Sequence, residues 1–320
     1  MPATYHARDS SHFPAGLHRP DRTMRQDAWR REPDAYPLRG EVLPRYTDVD
    51  VWQHLNNVAL ITLHAEAVQT ALRSVLGEQA WRERSPALAV SAGATDFLAE
   101  GQYPGAVRWG ARLLAAEAGG LRVATALFQQ DQCIGLHESR LSGWSEGRDI
   151  GLPAPAIAAL GAAGVPRAPA MVSAEPAAAW AAPAGADAFP WQTIFPLRFA
   201  DSDAHRLVSD TCLARAAEQL RVEFLNDVFD GRREMLGGML VAHVSVQWRE
   251  RTAAPGQWRL GCGVARVGER SLAVRGAMYD ADRCVATCEA VMVALRRGGP
   301  SGAALSEAAR ARLAGFSLGS

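Results

Sequence analysis

Two stretches of this chain place apolar residues at helical spacing with polar residues between them. The first runs Ile61, Ala65, Val68, Leu72 and Val75; the second runs Leu213, Ala217, Leu220, Phe224 and Val228. Steps of three and four residues keep a stripe on one side of an α-helix, so each stretch predicts an amphipathic helix of about five turns. Asn56–Asn57 precede the first stretch and Ser209–Asp210 the second. Side-chain oxygens of these types satisfy the free amides of a helix start. Beyond each helix the pattern becomes strand-like, over about 87–99, 105–117, 120–130 and 132–144, and again over about 239–252, 256–267, 270–279 and 283–296. Pro104-Gly105, Gly119-Gly120, Pro255-Gly256 and the run from Asp280 to Asp282 separate these segments as turns. With no helix between them, consecutive strands pair antiparallel. One helix against one curved antiparallel sheet is an α+β layer arrangement.

The two halves also share a motif. Arg45-Tyr46-Thr47-Asp48-Val49-Asp50 returns as Arg198-Phe199-Ala200-Asp201-Ser202-Asp203, at an offset of 198 − 45 = 153 residues. The basic residue, the aromatic and both aspartates keep register, which marks one structural unit written twice. The chain of 320 residues accommodates two such units. It divides into a flexible N-terminal arm (1–38), a first unit (39–150), a linker (151–190) and a second unit (191–320). The linker holds 17 Ala and 7 Pro, which predicts a short helix near 154–160 and extended chain elsewhere. Residues 306–316 read as a short helix that caps the second unit.

Composition narrows the function classes. Lys+Arg and Asp+Glu both number 34, so the formal net charge is zero and the basic excess of a nucleic-acid binder is missing. No run of 18 apolar residues offers a membrane span. The five cysteines, Cys133, Cys212, Cys262, Cys284 and Cys288, form no CxxC pair and read as reduced thiols of a cytoplasmic protein. His6, His12 and His18 recur in the arm, where scattered histidines outweigh a metal tract. Neither a metal nor a cofactor is expected.

The run Arg45 to Asp50, continued by Val51-Trp52-Gln53-His54-Leu55-Asn56-Asn57 and a long helix bearing Glu66, resembles the start of the hot-dog thioesterases. More narrowly it is similar to the branch of 4-hydroxybenzoyl-CoA and acyl-ACP thioesterases. The resemblance implies two tandem hot-dog folds, each a long central helix wrapped by a curved antiparallel sheet, packed as a pseudo-dimer. It implies hydrolysis of an acyl-CoA or acyl-ACP thioester, within fatty acid metabolism. It leaves open a homodimer of such pseudo-dimers. A non-catalytic acyl-thioester-binding module and a hot-dog dehydratase or hydratase are the competing readings.

The residue types suit that chemistry. A carboxylate beside a helix start can act as base or nucleophile, while free helix amides hold the negative charge growing on the carbonyl oxygen. By the resemblance the catalytic aspartate is Asp50, against a bland reading as a turn-capping residue. His54 either orients substrate or is a solvated loop histidine. Asn56 and Asn57 cap the helix and also position water or the thioester. Asp48, Glu66 and Asp203 are secondary candidates: Asp48 as a loop brace, Glu66 as a helix carboxylate or a surface glutamate. His64 and His137 read as packing or surface residues, and Cys133 lacks a base beside it. In the second unit Leu207 replaces His54 and Ser209–Asp210 replace Asn56–Asn57. Asp210 puts negative charge where an oxyanion should form, so the second site is expected to be weak or dead.

Overall fold

A computed structural model describes residues 24–78, 80–82, 87–117, 119–165, 180–231, 238–295 and 303–319. The three arm histidines and linker residues 166–179 lie outside the described residues. The elements run β1 (Leu38–Val42), α1 (Asn57–Leu76), β2 (Ala87–Phe97), β3 (Val107–Glu117), β4 (Gly120–Gln129), β5 (Gln132–Ser145), β6 (Arg148–Gly151) and α2 (Ala154–Ala162). Then follow β7 (Trp191–Leu197), α3 (Asp210–Val228), β8 (Gly238–Trp248), β9 (Gly256–Val267), β10 (Ser271–Asp280), β11 (Arg283–Leu295) and α4 (Glu307–Ala314). The strands form one antiparallel sheet in the order β1-β3-β4-β5-β2-β8-β11-β10-β9-β7, with β6 paired to β5. Two long helices against curved antiparallel strands make the α+β architecture that the pattern predicts. Strand β6 has no periodic signal and extends the hairpin after β5.

The sequence repeat extends into the sheet's irregularities. Pairing of β2 with β5 skips Ser91, that of β3 with β4 skips Leu114, and that of β4 with β5 skips Ile134. The later strands skip Ala242, Ala265 and Val285. The offsets 242 − 91, 265 − 114 and 285 − 134 all equal 151. Each bulge bends its strand, so the same three bends curve each set of strands around its helix.

The α3 stripe, Leu213, Ala217, Leu220, Phe224 and Val228, is buried throughout. Of the α1 stripe Val68 and Leu72 are buried and Val75 is half-buried, and Leu60 and Leu63 extend the buried face. Ile61 and Ala65 are half-buried because α1 turns them toward the region between the two helices. Leu160 of α2 is fully buried against the cluster of Val68, Leu72, Leu121 and Leu141. The N-terminal arm differs from expectation. Residues 24–37 fold onto the sheet, Tyr36 is fully buried, and its hydroxyl donates to the Arg30 carbonyl at 2.7 Å. Arg25 donates to the carbonyls of Phe97 and Ala242, so it spans the seam between β2 and β8. Composition hid this anchoring because it depends on a few long-range contacts. Among the described residues no helix is long and apolar enough to cross a membrane.

One polar layer interrupts the apolar core of the first half. His64 on α1 is fully buried, bonds Thr125 Oγ1 through Nδ1 at 2.8 Å, and stacks on His137 at 5.1 Å between ring centroids. His137 bonds Thr95 Oγ1 at 2.7 Å and Ser139 Oγ at 2.8 Å. Both are packing residues, as expected, but neither is at the surface. Gly93 and Gly135 leave room for the rings, since a Cβ at either would stand 3.1 Å from an imidazole atom. Burial pushes His137 down to about 4, and burial with the neighbouring His137 pushes His64 well below the usual range. The unfolded chain therefore takes up protons near pH 6.5 that the folded chain refuses. This stabilisation is complete above about pH 6.5 and is lost progressively as pH falls toward about 4. Urea denaturation at pH 7.5, 6 and 5 should show a decline of about 1–3 kcal/mol. His137→Asn should flatten that decline.

Candidate active site

The first motif forms a tight loop between β1 and α1. The buried Asp48 carboxylate accepts the Arg45 amide at 2.7 Å and the Arg45 guanidinium at 2.8 Å. Its carbonyl accepts the Asn56 amide at 2.8 Å. Burial pushes the Asp48 carboxyl up, but the hydrogen bonds and charge of Arg45 outweigh this and hold it below the ordinary range. Asp48 is thus a brace, as expected. Asp50 closes the next turn. Its amide donates to the His54 carbonyl at 2.9 Å, and its Oδ1 accepts the amides of Trp52 at 2.9 Å and His54 at 3.2 Å. The other oxygen, Oδ2, has no hydrogen-bond partner among the described residues. Gln53 completes the loop with φ +66, a conformation that costs a non-glycine residue free energy.

The loop delivers Asn56 as the N-cap of α1, with its Oδ1 accepting the Val58 amide at 2.6 Å. The Asn56 Nδ2 crosses to the other half and donates to Glu218 Oε1 on α3 at 3.0 Å. Glu218 is half-buried. The sequence does not signal this carboxylate, because its partner Asn56 lies 162 residues away in the chain. Glu66, the helix carboxylate expected from the sequence, is 65% exposed and faces Arg73 at 3.8 Å. The structure does not bring it to the motif and supports its surface reading. Asn57 begins the helix half-buried, and its side chain has no partner among the described residues. His54 turns away from Asp50 and approaches Glu100 Oε2 at 3.3 Å, partly solvated. The structure thus joins Asn56 to Glu218, sets Asn57 beside Asn56 at the helix start, and keeps Asp50 in the loop before it, with His54 directed to Glu100.

The second motif repeats the backbone and changes the contents. Asp201 accepts the Arg198 amide at 2.7 Å and the Arg215 guanidinium at 2.7 Å. Asp203 Oδ1 accepts the amides of His205 and Leu207, and Arg206 repeats the left-handed turn with φ +64. Asp210 at the start of α3 accepts Trp248 Nε1 at 2.8 Å and the Arg251 guanidinium. Arg251 is 3% exposed, lies 3.6 Å from Asp203 Oδ2, and rests between the rings of Trp144 and Trp248. Its counterpart in the first half, by the offset of 251 − 100 = 151, is Glu100. The expected open negative charge at Asp210 is thus cancelled, and a guanidinium occupies the space between the two acidic side chains.

A cavity of about 40 Å³ lies between the helices, walled by Ile61 and Ala65 of α1, Leu213 and Ala214 of α3, and His137 and Ser139 of β5. Burial raises the thiols of all five cysteines; Cys133, Cys212 and Cys288 are pushed up to about 12. None is a thiolate near neutral pH. Among the described residues no three His, Cys, Asp or Glu side chains converge to hold a metal ion.

No family model matches the chain, and no protein of curated function matches it in sequence. Solved structures do. A protein assigned as an oleoyl thioesterase from Lactobacillus plantarum superposes with a TM-score of 0.62 at 12% identity, covering 83% of this chain and 96% of its own. The 12:0-ACP thioesterase from Umbellularia californica gives 0.62 at 12% identity, covering 81% and 94%. An acyl-ACP thioesterase from Bacteroides thetaiotaomicron gives 0.54 at 11%, covering 80% and 97%. The likeness shows that the chain has the hot-dog fold of these proteins.

The closure by Arg251 predicts a stability effect. Arg251→Ala strips the counter-charge from Asp210 and leaves the Val90 carbonyl without its donor. Asp210 is about one-third exposed, so water screens part of the loss, and the cost is about 1–3 kcal/mol rather than that of a fully buried pair. A matching drop in denaturation free energy, partly recovered in Arg251→Ala/Asp210→Asn because only the charge on Asp210 is relieved, is the expected result.

Proposed function

We propose that the chain hydrolyses an acyl thioester, of CoA or of acyl carrier protein, at the first motif. In this reading residues 39–150 and 191–320 are two hot-dog units packed as a pseudo-dimer, and 151–190 link them. The observation that carries it is the contact of Asn56 Nδ2 with Glu218 Oε1, which joins a helix start in one unit to a half-buried carboxylate in the other. Free amides at the α1 start face growing negative charge favourably. Glu218 then takes a proton from water as the oxygen attacks the thioester carbonyl. The tetrahedral oxyanion rests on the α1 start and the Asn57 side chain. Collapse expels the thiolate, which recovers the proton from Glu218. The products are a carboxylic acid and a thiol.

Glu218 suits the base better than Asp50, because Asp50 already spends one oxygen on two loop amides. Asp50 shapes the loop and orients water through Oδ2. The second motif is silent in this scheme, since Arg251 fills it.

Thiol release from a panel of acyl-CoAs and acyl-ACPs tests the reading. Glu218→Gln should lower kcat about 10²–10⁴-fold with little change in KM. Asp50→Asn keeps an amide-accepting oxygen and should cost about tenfold or less. Full activity in Glu218→Gln with none in Asp50→Asn would reverse the assignment. Acyl-CoA binding without thiol release from any substrate would make the chain a binding module instead.

A further inference from the structure

The two halves differ most in what they bury behind the site. The repeat maps the cavity described above onto its twin: 61 + 153 and 65 + 153 give Ala214 and Glu218, 210 − 153 gives Asn57, and 137 + 151 gives Cys288. The twin positions thus include two groups proposed for catalysis, Asn57 and Glu218, together with Cys288 of β11. Arg221 neighbours them, since the fields of Glu218 and Cys288 both reach it. It stands one turn beyond Glu218 on α3, so the two side chains share a helix face. It is 4% exposed, and the ionisable groups whose fields reach it are Glu218, Cys288 and Cys262. Among the described residues it has no hydrogen bond and no ion pair. The position it repeats, 221 − 153, is Val68, so the fold itself needs only an apolar side chain here.

A buried guanidinium that no hydrogen bond satisfies is costly, and Glu218, whose charge reaches Arg221, already accepts a hydrogen bond from Asn56. Guanidinium is also the group best matched to a carboxylate, which it grips through two parallel N–H bonds. We infer that Arg221 receives a carboxylate at the far end of the acyl group, so that the substrate is the monothioester of a short dicarboxylic acid. This rests on the thioester reading above. Three residues of helix rise place Arg221 about 5 Å beyond Glu218 along the axis, which fits a chain of a few carbons between thioester and carboxylate.

The test compares glutaryl-CoA with pentanoyl-CoA, which match in chain length, and adds calorimetric titration with free glutarate and pentanoate. The wild-type protein should favour glutaryl-CoA at least about tenfold in kcat/KM and bind glutarate but not pentanoate. Arg221→Met should lose about thirtyfold or more on glutaryl-CoA, chiefly in KM, and leave pentanoyl-CoA within about threefold. Arg221→Lys should restore part of the loss. Equal turnover of the two thioesters by the wild type, or an equal loss on both in Arg221→Met, overturns the proposal. If pentanoyl-CoA is hydrolysed and glutarate does not bind, the carboxylate site falls and hydrolysis stands. If glutarate binds through Arg221 and no thioester is cleaved, the hydrolysis reading falls and the site stands. Should Arg221→Met fail to fold, Arg221→Lys and the wild-type titrations decide.

Discussion

The pairing of β2 with β8 decides where every other element of the site can go. Five residue pairs, from Ala92 with Gln247 to Asp96 with His243, join the two sets of strands into one sheet. Each set curves around its own helix, so this seam brings α1 and α3 side by side. The start of α1 then meets the third turn of α3, where Glu218 stands. Side chains alternate across a strand, and a slip of one residue would send every seam side chain to the opposite face. Two contacts pin the register. Asp96, 1% exposed, holds His243 at 2.9 Å, and Arg25 ties the carbonyls of Phe97 and Ala242 from outside.

On this common frame the backbone is repeated and the chemistry is not. All three bulges and the left-handed turn residue recur, because they set how strands wrap a helix and how the loop closes. Side chains are free of that constraint wherever volume alone matters. Glu100 becomes Arg251, Ala65 becomes Glu218, His137 becomes Cys288 and Val68 becomes Arg221 under the same offsets. These exchanges are coupled. The guanidinium at 251 neutralises Asp203 and Asp210 in the second motif, while the carboxylate at 218 accepts a hydrogen bond from the N-cap Asn56 of the first helix.

Most of the fold was legible in the sequence. The two helical stripes, the N-caps at Asn56 and Ser209, and four strands after each helix follow from periods of 3.6 and 2, which report burial directly. Asp48 was legible as a brace because a carboxylate three residues after a basic N-cap has a local partner. What failed to read was non-local. The anchoring of residues 24–37 depends on Tyr36 and Arg25 reaching distant strands, and nothing in a polar, Pro-containing segment signals it. Glu218 was missed for the same reason: its partner Asn56 is 162 residues away in the chain. Glu66 follows as a helix carboxylate from the family resemblance, with a surface glutamate as the alternative, and it is exposed. Arg251 falls at the end of the predicted strand 239–252, and its partners Asp203, Asp210 and the Val90 carbonyl are all distant in the chain.

The distribution of unsatisfied groups separates the two sites on grounds independent of resemblance. In the second motif the charges are matched within the fold: Asp201 by Arg215, and Asp203 and Asp210 by Arg251. At the first motif the Asp50 Oδ2 and the Asn57 side chain have no hydrogen-bond partner among the described residues. Local and tertiary preferences normally agree in a folded domain, and polar groups buried without partners oppose stability. The asymmetry lies in the charges: Asp203 and Asp210 are neutralised inside the fold by Arg251, whereas Asp50 and Asn57, both half-buried, are paired with no charged side chain among the described residues, and the proposal of hydrolysis at the first motif draws on that difference.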